Sequence, residues 1–182
     1  MIFEPVKPFI AGEYRIKIAT EAWERQEAAA LRRRVFCEEQ AIFAGDDRDA
    51  IDETAIPIVA VGLLGVVFDG VVGTVRIHAA EAEGDVWWGS RLAVDAGHRR
   101  IAALGAGLIR LAVGSAHARG CRRFLAHVQA QNALMFQRLH WTTLEVVELH
   151  GLLHHRMEAD LAHYPPIAAG ETGFISLAQK AA

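Results

Sequence analysis

The sequence predicts an α/β (α+β) fold with one domain, in which helices cover both faces of a central, mixed and mostly antiparallel sheet. Three β-branched runs follow one another as in an antiparallel meander: residues 58–68, 71–79 and 86–94. Asp69-Gly70, between the first two runs, is a typical hairpin turn. A long apolar helix at 103–119 and a strand at 123–128 come next. This strand–helix–strand order predicts a parallel crossover, so the sheet is mixed.

The other elements are predicted from local patterns. Residues 14–18 alternate polar and apolar side chains, which indicates a half-buried strand. Thr20 can cap a helix at 22–40, which is rich in good helix formers. After the crossover we expect a short helix and two strands, at 132–139, 143–149 and 154–161. The order is β-α-(α)-β-β-β-α-β-α-β-β, where the bracketed helix, at 49–54, is open between helix and loop.

A domain boundary is predicted near the C terminus. Pro165-Pro166 follows the last predicted strand, and proline pairs end regular elements. We therefore expect one domain at residues 1–164 and a C-terminal tail or linker at 165–182.

Composition excludes several classes of protein. The 182 residues are 52% hydrophobic and carry a net charge of −3, which allows a sizeable core and argues against a broad nucleic-acid surface. The N terminus lacks the pattern of a signal peptide, and the longest apolar run, at 56–68, is shorter than the roughly 20 residues that span a bilayer. Cys37 and Cys121 make no disulfide framework. We expect a cytoplasmic protein with no nucleic-acid or membrane partner.

The segment at residues 90–109 carries the main functional signal. A short apolar strand enters a basic loop, and the loop enters a helix whose first turns consist mainly of small residues. N–H groups in a first helical turn have no intrahelical partner, and the helix dipole makes that end positive. Arg99 and Arg100 add charge, so the segment suits a diphosphate. The alternative is an ordinary strand–loop–helix joint with two solvated arginines.

Residues 100–105, Arg-Ile-Ala-Ala-Leu-Gly, resemble the acyl-CoA pyrophosphate loop of the GNAT (N-acetyltransferase) superfamily, written Gln/Arg-x-x-Gly-x-Gly/Ala. Ala103 stands where that loop usually has glycine. Residues 31–40, followed by Asp49 and Asp52, resemble the first-helix segment of one GNAT branch, Leu-Arg-x-x-Val-Phe-x-x-Glu-Gln.

Two later segments extend this resemblance. Residues 124–128 are similar to the fifth strand of the family, and residues 132–141 are similar to the helix-to-strand segment after it. The resemblance spans residues 14–164 and implies a single GNAT-like domain. It also points to a small bacterial branch described as nitrogen-starvation acetyltransferases.

The resemblance implies that acetyl-CoA, or another acyl-CoA, is the co-substrate. Three residues on the strand before the loop would contact the pantetheine arm: Leu92, Ala93 and Val94. The loop and the first helical turn would hold the diphosphate: Arg99, Arg100, Ile101, Ala102, Ala103, Leu104, Gly105 and Ala106. Asn132 would contact pantetheine, cap its helix, or do both. Phe136 falls at a cofactor-contacting position where many family members have tyrosine, and phenylalanine cannot serve as the general acid.

The resemblance also implies that the first-helix segment and the sheet build the acceptor site. The candidates for substrate binding are Arg32, Phe36, Glu38, Asp52 and Trp88. Glu39 is the first candidate for the general base, and its alternative role is a solvated carboxylate at a helix end. His127 is the second candidate because imidazole titrates near neutral pH; its alternative role is a satisfied interior histidine. Asp52 could also bind a cationic acceptor.

No metal site or cysteine nucleophile is predicted. His154 and His155 point to opposite faces of a strand and cannot easily share an ion. Cys121 lies at a helix-to-strand joint without an obvious base, and the carboxylates beside Cys37 disfavour its thiolate.

The predicted function is acyl-CoA-dependent N-acyl transfer, with acetyl-CoA as donor and the amine of a small molecule or amino-acid-like compound as acceptor. The amine would attack directly in a ternary complex, and the resemblance allows a homodimer. Two alternatives remain open. One is a longer-chain acyltransferase of the acyl-amino-acid or acyl-homoserine-lactone synthase type, and the other is a non-catalytic acyl-CoA-binding regulatory module.

Overall fold

The computed structural model describes residues 10–65 and 67–178, which form one eight-stranded sheet and three α-helices. The strands are β1 (Glu13–Ile18), β2 (Ile56–Leu64), β3 (Val67–Ala79), β4 (Val86–Val94), β5 (Arg123–Gln129), β6 (Trp141–Leu149), β7 (Leu152–Ala159) and β8 (Phe174–Leu177). The helices are α1 (Ala22–Arg33), α2 (Ala102–Ala118) and α3 (Ala133–Arg138). The predicted fold class is confirmed.

The sheet has the strand order β6-β7-β5-β4-β3-β2-β1-β8. Every neighbouring pair is antiparallel except β4 and β5, which are parallel and joined through α2. The sheet is therefore mixed and mostly antiparallel, and its one parallel pair lies where the crossover was predicted.

Helices cover both faces of the sheet. On one face, Ile58 and Phe124 of the sheet share a cluster of buried side chains with Leu108 of α2. On the other face, Val59 shares a smaller cluster with Leu31 of α1. Neighbouring strand residues such as Ile58 and Val59 thus enter different cores, as the alternation of a β-strand requires.

The sequence analysis placed the turn of the first hairpin at Asp69-Gly70, and this prediction is wrong. β2 ends at Leu64, which pairs with Val67 at the start of β3, so the chain reverses between these two residues. Gly62 pairs with Gly70 and Leu63 with Phe68, which makes Asp69 the extra residue of a bulge inside β3. Gly65, with φ of +65°, supplies the left-handed backbone of the tight turn.

The helix predicted at 22–40 changes its winding after Arg33. The segment Arg34–Glu39 is a π-helix, in which the N–H of Gln40 donates to the carbonyl of Val35 at 3.0 Å. Ala41, with φ of +51°, then ends the helical path. Wide turns of this kind occur often at functional sites, and this one carries Phe36 and Gln40 to a cavity wall.

Within the predicted C-terminal tail, the described residues 165–178 pack against α2 and the sheet. Ile167 donates its N–H to Gly114 of α2 at 2.9 Å, and β8 pairs with β1. At Gly173, with φ of +62°, a Cβ atom would lie 1.8 Å from the carbonyl oxygen of Ile16. β7 ends at Ala159, and Pro165-Pro166 come after the short turn Leu161–His163. A proline pair removes two N–H donors but does not prevent the chain beyond it from packing. Residues 179–182 of the predicted tail lie outside the described residues.

Candidate functional site

The parallel strands β4 and β5 separate halfway along their length. Their pairing runs from Val86 with Arg123 to Gly89 with Ala126, although the strands continue to Val94 and Gln129. Because the strands are parallel, the segments that follow them, which lead into α2 and α3, begin at the same edge of the sheet. Ligands of open α/β sheets bind at such an edge, outside the carboxyl ends of separating strands.

A bulge in β4 lies beside this gap. Arg76 of β3 pairs with Ser90 and Thr74 pairs with Ala93, so Arg91 and Leu92 together lie opposite Val75. Arg91 has φ of +55°, which costs a non-glycine residue about 1–2 kcal/mol.

The side chain of Arg91 holds the bulge in place. Its Nε donates to the carboxylate of Asp47 at 2.9 Å, and its guanidinium carbon lies 4.4 Å from the ring centre of Phe43. These contacts stabilise a backbone shape that removes Arg91 and Leu92 from regular pairing with β3.

A cavity of about 450 Å³ opens at the gap. His78, Trp88 and His127 line it from the α1 face of the sheet. Side chains of the α2 face line it as well: Val75, Phe124, Ala126, Val128, Ile109, Ala112, Val113 and Phe136. Since its walls come from both faces, the cavity passes through the sheet where β4 and β5 separate.

His127 and Trp88 form one wall on the α1 side. Their rings stack with centroids 5.0 Å apart and planes 28° apart. Burial, together with His154 and Arg156 nearby and against the opposing effect of Glu145, lowers the pKa of His127. The neutral imidazole can therefore accept a proton at neutral pH. Both residues were predicted from the sequence as site residues, and both line the cavity.

Arg32 and Asp52 were predicted as substrate contacts, and the structure pairs them with each other. The Nη1 atom of Arg32 donates to Asp52 at 2.5 Å, and its Nε donates to Asp47 at 2.8 Å. Although burial opposes it, hydrogen bonds from Arg32 and Arg76 hold the pKa of the Asp52 carboxyl well below its usual range.

These residues belong to a cluster of three arginines and three aspartates that includes Arg91 and Asp49. Asp49 and Arg76 line the cavity, and Arg32 and Asp52 are not among its lining residues. Asp52 is therefore committed to two guanidinium groups inside the protein, and a role in binding a cationic acceptor finds no support in this arrangement.

Glu39 and Glu38 lie apart from the cavity. Glu39 accepts a hydrogen bond from Nη2 of Arg99, and Glu38 lies 3.5 Å from Arg33 at the protein surface. Neither glutamate is among the lining residues, whereas Phe36 of the same segment is. The π-helical segment thus contributes an aromatic wall and places its carboxylates elsewhere.

The predicted diphosphate loop joins β4 to α2. Asp95 accepts a hydrogen bond from the N–H of Gly97 at 3.1 Å, and Arg99 donates from Nε to the carbonyl of Val94 at 3.0 Å. Arg100 is exposed. A Cβ atom at Gly105 would meet no other atom within 4 Å, so the surface beside the first turns of α2 is open.

A second cavity, of about 610 Å³, lies along the same turns of α2. Ala102, Ala103 and Ala106 line it together with Arg110 and Arg138. Small side chains at a helix N terminus suit an anionic group, and Arg110, in the middle of α2, and Arg138, at the end of α3, add positive charge to the cavity wall.

Asn132 and Phe136, at and after the start of α3, both line the first cavity. The Asn132 side chain makes no capping hydrogen bond, although the residue occupies the cap position of α3. Phe136 packs edge-to-face against Trp141 with ring centroids 5.1 Å apart. The amide of Asn132 is thus available to the cavity, and the side chain at 136 adds only apolar surface.

Arg76 and His78 of β3 are two polar lining residues that the sequence analysis did not identify as candidates. They alternate with Val75 and Ile77 in a strand that is otherwise mostly apolar. Polar residues at every second position of a buried strand are the signal that could have revealed them.

Three further results concern metals, thiols and membranes. Within residues 10–65 and 67–178, no group of three His, Cys, Asp or Glu residues could hold a metal ion. Burial raises the pKa of the Cys121 thiol to about 11, which disfavours a nucleophilic thiolate. No helix in these ranges has the length and apolar character needed to cross a bilayer.

Comparisons with known proteins agree on the fold. No family model and no curated protein matches the sequence. Among solved structures, Escherichia coli ElaA is similar with a TM-score of 0.66 and 20% identity over 81% of this chain and 98% of ElaA. An acetyltransferase of the GNAT family from Staphylococcus aureus Mu50 has a TM-score of 0.57 and 12% identity, over 79% of this chain and 98% of that one.

A third similar structure is BjaI, a CoA-dependent acyl-homoserine lactone synthase solved with SAM and isopentyl-CoA. Its TM-score is 0.60 and its identity 19%, over 81% of this chain and 83% of BjaI. None of these comparisons tests the nitrogen-starvation branch, which stays a prediction. The chain has the fold of the GNAT superfamily.

Proposed function

We propose that this protein is an acyl-CoA-dependent N-acyltransferase that transfers an acetyl group from acetyl-CoA to the amine of a small molecule. One observation carries the proposal, namely the cavity that passes through the gap between β4 and β5 of a GNAT fold. A passage with walls on both faces lets donor and acceptor approach one reaction centre from opposite sides. Such a ternary complex supplies the proximity that direct acyl transfer requires.

The donor would enter from the α2 side. The open first turns of α2 suit the diphosphate. Arg99, Arg100 and the backbone of residues 101–106 would hold it there. The pantetheine arm would extend toward the gap, in contact with the strand segment Leu92–Ala93–Val94 and with the amide of Asn132. The bulge at Arg91 and Leu92 leaves backbone groups outside the regular ladder, where they can stabilise charge on a thioester oxygen.

The transfer step uses His127 as the base. The acceptor nitrogen forms a bond to the thioester carbonyl carbon, and His127 takes the proton that this nitrogen loses. The tetrahedral intermediate then expels the CoA thiolate as the carbon–sulfur bond breaks. Phe136 cannot protonate the thiolate, so the proton reaches it from His127 or from water.

A thermal-shift titration with acetyl-CoA and CoA tests the donor site. A ligand at about 100 times its dissociation constant stabilises the native state by about 2.7 kcal/mol. Gly105→Glu puts a carboxylate into open space beside α2, so the variant should fold and lose the shift. Gly84→Glu is the matched control, because its Cβ also meets nothing within 4 Å and it lies before β4.

This titration, followed by an assay of CoA release with a panel of amines, separates the open alternatives. A shift that Gly105→Glu abolishes and Gly84→Glu retains supports the donor site. Absence of any shift contradicts the proposal. Binding without CoA release across a broad panel of amines favours the acyl-CoA-binding regulatory module.

Transfer of a longer acyl chain is the second candidate, and the apolar α2 side of the cavity favours it. Ile109, Ala112, Val113 and Phe136 give this side a wall without charged groups. The similar structure of BjaI contains a branched acyl-CoA. Comparison of kcat/KM for acetyl-CoA and octanoyl-CoA decides between the two, and a strong preference for acetyl-CoA would remove this candidate.

A further inference from the structure

Among the residues that the structure describes, the acceptor side of the cavity, on the α1 face of the sheet, holds no carboxylate free to bind a second ammonium group of the substrate. Among the described lining residues Asp49 is the only carboxylate, and it accepts two hydrogen bonds from Arg76, at 2.7 and 2.8 Å. It also accepts one from Arg91 at 3.2 Å. A polycationic acceptor would therefore lose water around its second charge and gain no counter-ion in return.

Flat rings make up much of this side instead. Trp88 stacks with His127, and Phe43 meets His150 edge-to-face with centroids 4.9 Å apart. Phe36 adds a third apolar ring to the lining. Rings in such arrangements favour another ring, through stacked or edge-to-face contact and through the apolar area that the contact buries.

His78 adds a hydrogen-bonding group to these walls. His78 of β3 pairs with Trp88 of the neighbouring strand β4, so both side chains lie on the same face of the sheet. The Nδ1 atom of His78 is buried without a hydrogen-bond partner among the described residues. Burial and the charge of Arg76, against the opposing effect of Asp49, lower the pKa of His78. A buried ring nitrogen of this kind costs stability unless a ligand or an ordered water supplies the missing partner.

We propose that the acceptor is an aromatic amine with a single amino group, whose ring packs beside Trp88 and whose polar ring substituent hydrogen-bonds to Nδ1 of His78. This inference rests on the proposed acyl transfer, because His127 would take the proton from the same amine. It adds the substrate class that the fold leaves open.

The experiment compares four amines with acetyl-CoA: tyramine, phenethylamine, hexylamine and spermidine. Tyramine and phenethylamine share a ring and differ by one hydroxyl, which isolates the contact with His78. We expect kcat/KM for tyramine to exceed that for spermidine and hexylamine by about tenfold or more. A preference for spermidine would overturn this inference and leave acyl transfer standing.

Variants locate the ring and the hydroxyl. Trp88→Leu should lower kcat/KM for both aromatic amines by about tenfold and change the value for hexylamine much less. Trp23→Leu is the matched control, since Trp23 packs against Phe68 and is not among the cavity-lining residues. His78→Phe should remove the preference for tyramine over phenethylamine. Equal effects of Trp88→Leu on all four amines would contradict the ring contact.

Direct binding keeps the inference testable without turnover. In a thermal-shift titration, tyramine alone should raise the melting temperature of the wild-type protein and of the Trp23→Leu variant. It should leave the melting temperature of Trp88→Leu unchanged. If acetyl-CoA fails to bind while tyramine binds in this pattern, the proposed donor fails and the aromatic site stands. If tyramine gives no shift and no turnover, the aromatic site is wrong.

Discussion

Arg76 donates hydrogen bonds to both carboxylate oxygens of Asp49, although the two residues lie 27 positions apart in the chain. Arg76 is buried in the middle of β3, whereas Asp49 lies in the connection between the π-helical segment and β2. The Nε atom of Arg76 also donates a hydrogen bond to the hydroxyl of Ser90 in β4 at 2.9 Å. One guanidinium thus ties the connection that forms part of the cavity wall to two central strands.

Arg76→Ala should destabilise the protein strongly. Removal of one member of a buried charge pair costs about 3 kcal/mol, and here it leaves Asp49 with Arg91 and Asp52 with Arg32 as the remaining counter-ions. Urea denaturation of the purified variant measures this loss. Arg156→Ala is the control, because its partner Glu145 is half exposed and exposed pairs contribute about 1 kcal/mol or less. Equal losses in the two variants would contradict a structural role for the cluster.

Stability should fall in acid because of the same cluster. The hydrogen bond from Arg76 lowers the pKa of Asp49, and the pKa of Asp52 lies well below its usual range. The unfolded chain, with aspartate pKa values of about 3.9, then binds protons before the folded chain does. The contribution of these carboxylates is therefore present at neutral pH and is lost progressively below about pH 5.

Urea denaturation at several pH values between 7 and 3 measures this dependence. The variant with Asp49→Asn and Asp52→Asn should be less stable at pH 7 and should show a flatter profile toward acid. A profile as steep as that of the wild-type protein would place the responsible carboxylates elsewhere.

His127→Gln should lower kcat/KM by about 10²–10⁴-fold, the usual contribution of a general base. Because burial, His154 and Arg156 lower the pKa of His127, the wild-type base stays neutral as pH falls and is lost only below about pH 6.5. The pH profile of kcat/KM should therefore show this acid limb, and the variant should lack it. His155→Gln is the control, because His155 forms a hydrogen bond with Thr143 and does not line the first cavity.

Glu39→Gln should leave kcat within about threefold of the wild-type value, because Glu39 pairs with Arg99 away from the cavity. An effect on the KM for acetyl-CoA is expected, since the substitution changes the pairing of an arginine in the predicted diphosphate loop. A loss of kcat as large as that of His127→Gln would restore Glu39 as the base.

Gly173→Ala should displace β8 from β1. Its Cβ would lie 1.8 Å from the carbonyl oxygen of Ile16, so the backbone must move. Gly151→Ala is the control, because Gly151 also has a positive φ, of +73°, and its Cβ would meet nothing within 4 Å. The control should lose about 1 kcal/mol for its backbone conformation alone, and Gly173→Ala should lose clearly more in the same denaturation assay.

Sequence patterns predicted correctly those helices and strands whose formation depends mainly on neighbouring residues. The helix expected at 103–119 is α2, Ala102–Ala118, because a long apolar run with a glycine after it has few other solutions. Trp88, a predicted substrate-binding residue, lines the cavity, and its neighbour Trp87 is buried in the core, as the alternation of a β-strand requires. The turn at Asp69-Gly70 was wrong because pairing between β2 and β3 outweighed the preference of one dipeptide.

Long-range ion pairing could not be predicted in the same way. Arg32 and Asp52 were separate candidates for substrate binding, and their partnership depends on how α1 packs against the connection that carries Asp52. His78 was missed for a related reason, because its place in the cavity depends on where β4 leaves β5. The sequence therefore identified the segments near the cavity better than the individual side chains that line it.

The order of chain synthesis determines when β8 can cover the edge of β1. β1 is made before the other strands, and β8, which covers its outer edge, is made after them. A chain that has not yet reached residue 174 exposes the edge of β1 to any other extended segment, which is a hazard for aggregation. The same four residues of β8 line the second cavity beside α2. Closure of the sheet edge and completion of that cavity are therefore a single event in the maturation of the protein.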